Sequence, residues 1–376
     1  MPAFFFVLTL AAGCLFLHPF VLYPLSLRLL KRRPVMLDKA APTPSATLVF
    51  CAFNEEAALP SKIENLRQAR AVAPDLKFLA YVDKSTDRTL EILNENADLI
   101  SVVAATQRTG KAVGMRILVD QIDTDIVIFT DANALLDPNS IDTLLRYFSD
   151  PLVGGVAGTL TYTNANEGPV AGTGSAYWRL EEFIKQGESR RGSTMGADGS
   201  LFALRRNLYP VVPDHLMDDL IASMAVVFAG SRLISAPDVF VYERSATSSG
   251  DEFRRKRRIA CRAYSSHRHI APSVGRLPPL DRYKYTSHRV LRWLSGFSGG
   301  ACMAFAVLFV MSLYGFLSGV FLVAFLIGAY VLGSKLRVPV LSHVVEIGRA
   351  IAAATLGVID SWRGRTYQTW QPPVSR

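Results

Sequence analysis

Residues 126–133 read Ile-Val-Ile-Phe-Thr-Asp-Ala-Asn, an apolar run that ends on two oxygen-bearing side chains, Asp131 and Asn133. A short run of this kind reads as a buried parallel strand. In open α/β sheets a ligand sits beyond the carboxyl ends of the strands. Side chains two apart can project to one side of a strand end. A carboxylate and an amide oxygen placed that way suit a hard divalent cation, Mg2+ or Mn2+, which would bridge a diphosphate. The same two residues would also suit an Asx turn, with Asn133 capping. Other polar groups follow strand-like runs in the same manner: Asn54 and Glu55 after 46–53, and Asp83 after 78–82. Lys111 opens a helical stretch, where it could approach a diphosphate or stay solvated. Asp218-Asp219 precedes the helical stretch 220–228, where N-capping is the competing role.

Holding these groups together requires strands that alternate with helices. Strands are expected at 46–53, 78–82, 99–104 and 126–129, and helices at 59–71, 89–96 and 110–119. That alternation argues a doubly wound α/β sheet with its polar loops on one edge. Asp87, at a helix start, is expected to cap. A Gly-rich apolar strand follows at 153–161, then a helix at 177–185 that carries Tyr177 and Trp178.

The 376 residues, half of them hydrophobic, allow two or three domains and a sizeable core. Cys14, Cys51, Cys261 and Cys302 show neither a disulfide framework nor metal spacing. The net charge is +9, concentrated at Lys31-Arg32-Arg33 and at Arg254-Arg255-Lys256-Arg257-Arg258. Basic clusters beside apolar spans suit anionic membrane lipids and phosphorylated substrates. No stacking-aromatic or helix-turn-helix pattern accompanies the charge, so no nucleic acid is expected as a partner.

Residues 3–27 contain no Lys, Arg, Asp or Glu, Arg28 is the one charge before Leu30, and the run is long enough to cross a hydrocarbon core of about 30 Å. No positive charge precedes the run, so a signal peptide fits poorly. Lys31-Arg32-Arg33 puts the following end in the cytoplasm. Residues 293–333 suit two spans joined by a turn near 312–315, and Lys335 and Arg337 return the chain. Over 338–359, Ser342, His343, Glu346 and Arg349 lie on one helical face and Val344, Ile347 and Ile351 opposite, which reads as an interfacial helix. The tail, with Trp362, Trp370 and Pro372-Pro373, is expected at the membrane surface. The expected organisation is a transmembrane helix (1–33), a linker (34–45), a cytoplasmic domain (46–275), an interface segment with two spans (276–337), and an amphipathic helix and tail (338–376).

Residues 46 to about 270 resemble the family-2 glycosyltransferases, inverting enzymes with a nucleotide-binding GT-A fold, whose sheet is mixed but mostly parallel. The resemblance rests on several motifs in order: Ala52-Phe53-Asn54-Glu55-Glu56; Val82-Asp83-Lys84-Ser85-Thr86-Asp87, with Lys84 where glycine is usual; Gly110-Lys111; Asp131-Ala132-Asn133; Gly196-Ala197-Asp198-Gly199-Ser200; and Met217-Asp218-Asp219-Leu220. It implies that Asp83 meets the base of a nucleotide, with uracil expected, and that Asn54, Glu55 and Lys111 line the donor. Asp131 and Asn133 stand where the family has its metal-binding DxD, with asparagine replacing the second carboxylate. Gly196, Asp198 and Gly199 fall beneath the acceptor sugar, and Trp178 could add a stacking face. Asp219 aligns with the catalytic base and Asp218 with its partner; adjacent carboxylates raise one another's pKa. By the spacing of the QxxRW motif, Arg255 stands for the glutamine, Arg258 for the arginine and Ile259 for the tryptophan. Both arginines are candidates for the donor diphosphate.

These features imply an inner-membrane, metal-dependent, inverting glycosyltransferase of bacterial type. It would take a nucleotide-diphosphate sugar, a UDP-sugar first, and deliver the sugar to a glycan or lipid-linked acceptor. A processive polysaccharide synthase is the rival within the class, and a transporter or scaffold with a nucleotide-binding domain the rival outside it. A homo-oligomer that pools spans is compatible with the sequence.

Overall fold

In a computed structural model, all residues except Lys39, Arg337, Val338 and 371–376 are described. Eight strands form one sheet: β1 Ala46–Ala52, β2 Lys77–Val82, β3 Ser101–Ala104, β4 Ile126–Thr130, β5 Leu135–Leu136, β6 Val153–Tyr162, β7 Leu201–Arg205 and β8 Arg232–Glu243. Their order is β3-β2-β1-β4-β7-β6-β8-β5. The strands β1 to β4 are parallel, joined by helices Leu59–Val72, Thr89–Asn94 and Lys111–Asp120. Strands β1 and β4 are buried along their whole length, as their unbroken apolar runs require of a sheet covered on both faces.

The alternation of strand and helix ends at β4. Strand β7 runs antiparallel to both β4 and β6, while β6 pairs parallel with β8. The joint is filled by aromatic rings: Phe129 stacks on Phe202 with centroids 4.6 Å apart, and Tyr209 covers Phe129 at 5.5 Å. Antiparallel pairing sets the carboxyl end of β4 beside the amino end of β7, with Thr130 opposite Leu201. The Thr130 hydroxyl fixes that meeting by donating to the Ser200 carbonyl at 2.8 Å. Residues 196–200 are thereby delivered to Asp131.

On the other side of the molecule, helix Pro2–Leu17 runs through a wide turn at His18–Leu22 into Tyr23–Leu27. It packs closely on helix Ser295–Tyr314, where a Cβ on Gly299 would meet Phe16 at 3.0 Å. Gly315, at φ +86°, separates that helix from Phe316–Leu336. Among the described residues four helices are long and apolar enough to cross a membrane, and Leu341–Trp362 is the fourth. The last helix was expected to lie in the membrane interface with its polar stripe outward; the packing of that stripe differs. Its polar face meets protein: Glu346 accepts from Ser249 at 3.0 Å, and His343 bonds Thr173 at 2.9 Å. The stripe is polar because it docks on helices Ser249–Gly275 and Pro169–Ser189, while Val344 and Ile347 face outward. Arg337, Val338 and Pro372-Pro373 lie outside the described residues.

Candidate active site

Four predicted residues meet at the joint of β4 and β7. The Lys111 ammonium, from the first turn of its helix, sits 2.6 Å from Asp131. A Cβ placed on Gly199 would lie 2.9 Å from that ammonium, 3.3 Å from an Asp219 oxygen and 3.7 Å from an Asp131 oxygen. Glycine is required there because the space belongs to those three groups. Burial alone would lower the Lys111 pKa, but the Asp131, Asp218 and Asp219 carboxylates outweigh it and raise it. Lys111 is therefore a fixed cation.

Asp218 and Asp219 open helix Asp218–Phe228 and are both buried. One Asp219 oxygen accepts from the Leu220 amide at 2.7 Å. Its pKa is raised to about 7, first by burial and then by Asp218, against the lowering pull of Lys111, Leu220 and Arg262. A carboxyl that gives up its proton near neutrality suits a general base. Asp218 lies 4.0 Å from the Arg262 guanidinium. The N-cap of the helix is Met217, without a side-chain cap, so the capping role expected for the pair is not taken by either aspartate.

Asn133 points its amide at Glu243, 2.8 Å away. Arg255 comes in from helix Ser249–Gly275 among Tyr162, Glu243 and Glu252, so it joins the site through Glu243. Arg258 is half-buried one turn further along. Glu243 and Tyr162 were not singled out in the sequence; the ends of β6 and β8, where they sit, pair in register. Lys62 was also missed. It is fully buried beneath the 130–134 turn, where its ammonium donates to the Ala134 carbonyl at 2.6 Å. Burial lowers its pKa to about 7, against the raising effect of Asp131. A lysine in an apolar helix face was the only available signal.

Asn54, Glu55 and Asp83 gather at the carboxyl ends of β1 and β2. Asn54, at φ +52°, clamps Thr86 by accepting from its amide at 2.8 Å and donating to its hydroxyl at 3.1 Å. Glu55 is buried beside Thr89. Lys84 holds φ +51°, the conformation that explains glycine as the family's usual residue. Asp87 caps as expected, accepting from the Thr89 amide at 3.0 Å.

The expected direct contact of Asp83 with a base needs amending. Its side chain is wholly buried and accepts from Arg108 Nε at 3.1 Å, Thr109 N at 2.7 Å, Thr109 Oγ1 at 3.1 Å and Gly110 N at 3.1 Å. Those bonds pin the turn that leads into Lys111 and fill the carboxylate's acceptor sites. The tail as far as Trp370 reaches this edge. Gln368 donates to the Thr109 carbonyl at 3.0 Å, Arg108 donates to the Trp370 carbonyl at 2.9 Å, and the Trp370 ring stands 6.0 Å from Phe53.

Among the acceptor candidates, Asp198 accepts from the buried Lys185 ammonium at 2.8 Å and from Ser200. Trp178 lies half-buried with its ring edge-on to Tyr162 at 6.2 Å. Gly196, at φ +100°, is gripped from the membrane side: Arg289 donates to the Met195 carbonyl at 2.6 Å and to the Gly196 carbonyl at 3.0 Å. Arg289 also pairs with Glu181 at 3.0 Å. His288 bridges Glu181 and Glu188, and Tyr23 of the first helix donates to Glu188. One buried polar network thus ties the first span to the loop before Asp198.

The donor set fits a divalent cation bound jointly with a diphosphate. Asp131 and the Asn133 amide just beyond β4, and Glu243 at the end of β8 and bonded to Asn133, carry hard oxygens. Among the described residues no group of three or more His, Cys, Asp or Glu side chains is arranged to hold a metal. A cation here would take most of its ligands from phosphate and water, which is usual for Mg2+.

The sequence profile of Glycosyltransferase like family 2 matches residues 43–261. The O-antigen chain rhamnosyltransferase RfbN of Salmonella typhimurium is 25% identical over 221 residues, which cover 56% of this chain and 69% of that protein. Among solved structures, the mannosyltransferase PcManGT from Pyrobaculum calidifontis, in complex with GDP-Man and Mn2+, superposes with a TM-score of 0.72 at 20% identity. That match covers 94% of this chain and 98% of the other.

Proposed function

This chain belongs to glycosyltransferase family 2, and from that premise we propose that it is a membrane-bound, metal-dependent, inverting enzyme of the bacterial inner membrane. Its catalytic domain faces the cytoplasm, and it delivers one sugar at a time to a glycan or lipid-linked acceptor. The observation that carries the proposal is the convergence of Lys111, Asp131 and Asp219 on Gly199.

In the proposed reaction an acceptor hydroxyl attacks the anomeric carbon from the face opposite the diphosphate. Asp219 takes the hydroxyl proton as the new C–O bond forms. The bond to the diphosphate breaks, and its electron pair leaves on the nucleoside diphosphate. Lys111 is held at the site by three carboxylates and stands ready to offset that charge without reorganising. Asp131 and Asn133, with Glu243 behind them, would hold a divalent cation, which when bound neutralises the diphosphate. The nucleotide base lies along Phe53, Asn54 and the 83–86 turn, and it meets Asp83 only if Arg108 yields. Arg255 and Arg258 approach the phosphates from their helix.

A UDP-sugar is the first donor to test, and GDP-mannose the second, because PcManGT was solved with GDP-Man. Single addition is favoured over processive synthesis by Ile259, which offers no aromatic face at the tryptophan position. The test is purified protein in lipid, a panel of nucleotide sugars, assay of released nucleoside diphosphate with and without Mn2+, and sizing of the products. Release that depends on Asp219, with single-sugar products, supports the proposal. A long polymer made by the purified protein overturns the single-addition reading, and release unaffected by loss of Asp219 overturns the mechanism.

A further inference from the structure

Helix Pro169–Ser189 carries two adjacent glutamates with different surroundings. Glu181 is saturated by His288, Arg289 and Arg292. Glu182 is only 6% exposed, and one of its oxygens accepts from the Lys185 ammonium at 2.7 Å. Its other oxygen, Oε2, is closed to solvent and has no hydrogen-bond partner. The same ammonium is shared with Asp198, whose remaining oxygen is taken by Ser200. Two carboxylates therefore share one lysine, and a buried acceptor is left over.

A buried carboxylate oxygen without a donor is costly, and here it occurs one ion pair away from the residues around Gly199. Burial raises the Glu182 pKa to about 7, against the lowering effect of Lys185 and with Asp198 and Glu181 adding to the rise. Trp178 precedes Glu182 by four residues, so both lie on one face of the helix; the Lys185 ammonium stands 5.9 Å from the Trp178 ring. An aromatic face beside a carboxyl group with a spare oxygen matches a sugar ring, which has an apolar face and a rim of hydroxyls.

We propose that Glu182 is the specificity residue for the acceptor sugar: its Oε2, covered as long as no acceptor is bound, accepts a hydrogen bond from one acceptor hydroxyl when the entering ring displaces that cover and lies against Trp178. This rests on the reading of the Gly199 region as a glycosyl-transfer site. The acceptor side is assigned because Asp198 adjoins Gly199, the residue that faces Asp219. A site built to bond a substrate hydroxyl rejects an analogue that lacks it.

The experiment uses the full chain in lipid nanodiscs with the donor that gives release. Transfer is measured to octyl glycosides of glucose, galactose, mannose and rhamnose and to their monodeoxy forms, and transfer to water is measured as nucleoside diphosphate released without acceptor. Glu182→Gln keeps the shape and removes the charge. It should lower kcat/KM for the best glycoside by about 10- to 100-fold and leave release to water within about twofold, as expected of a group that touches only the acceptor. One deoxy position should be a poor acceptor for the wild type, and the variant should no longer distinguish it from the parent sugar. Equal losses in transfer and in release to water, or an unchanged deoxy preference, would overturn the assignment. Asp219→Asn is run alongside: if it leaves both rates intact, the transfer-site reading fails, whereas if it abolishes them and Glu182→Gln changes nothing, only the Glu182 inference fails.

Discussion

Where the sheet is parallel, the site's carboxylates are matched. Asp131 faces the Lys111 ammonium at 2.6 Å, and Asp83 takes donors from Arg108, Thr109 and Gly110. Across the antiparallel joint they outnumber their partners. Asp219 shares its surroundings with Asp218, and Glu182 and Asp198 divide one lysine. A matched carboxylate is held in a fixed position by its partners. A surplus carboxylate in a buried place binds a proton near neutral pH or waits for a ligand hydroxyl. On the proposed reading, the division of labour between donor and acceptor follows from how many cations the fold supplies to each side.

The comparison breaks first at Asp219. Asp219→Asn should reduce turnover by about two to four orders of magnitude, the usual weight of a general base, with nucleotide binding retained by calorimetry. If Asp218→Asn abolishes turnover and Asp219→Asn does not, the roles are reversed. The opposite side is tested by Asp131→Ala, which removes the partner of Lys111 and one oxygen ligand of the cation. Donor binding that rises on adding Mn2+ should be lost; an Mn2+-stimulated affinity like that of the wild type would remove Asp131 from the clamp.

The pH profile sharpens the contrast. Asp219 must be ionised to accept a proton, and its pKa is raised to about 7, so the rate should fall below pH 7. Asp218→Asn removes a raising charge and should move that acidic limb to lower pH; an unmoved limb would dissociate the two aspartates. Stability runs the other way. The folded state holds the Asp219 proton more tightly than the unfolded chain, so ionising it destabilises the fold as pH rises from about 4 through 7. Asp219→Asn should therefore melt higher than wild type at pH 8, with the gap closing at pH 4.

Two smaller effects bear on the donor edge. Trp370→Ala should change the donor KM by a few-fold and leave release to water at saturating donor unaltered, since Trp370 meets Phe53 and Arg108 at the proposed donor edge; a fall in turnover at saturation would put the tail in the chemistry. Lys84→Gly should raise the melting temperature slightly. The left-handed conformation costs a lysine roughly 1 kcal/mol, offset in part by glycine's greater chain entropy; a lower melting temperature would show that the Lys84 side chain contributes more than its strain costs.

The sequence by itself determined the strands, the helices that follow them, and the polar residues at their ends. Ile126–Thr130 is a buried strand because Ile126, Val127, Ile128 and Phe129 are an unbroken apolar run, and Asp131 follows it whatever the rest of the chain does. Such patterns are written in residues a few positions apart. Asp131, Lys111 and Asp219 were legible for that reason, each at the start or end of a local element. The tertiary structure decided who meets whom. Antiparallel pairing of β7 with β4, segments some seventy residues apart, set Gly199 against Asp131 and Asp219. It also put Lys62 under the 131–134 turn, gave Asp83 a full set of donors, and carried Trp370 from the membrane helices to Phe53. Partnerships of that kind depend on the closure of long loops and on packing that no short stretch encodes. Glu182 shows the limit most clearly. Beside Glu181 in the sequence it is an identical residue, and only the fold gave one of them three partners, His288, Arg289 and Arg292, and left the other with an oxygen to spare.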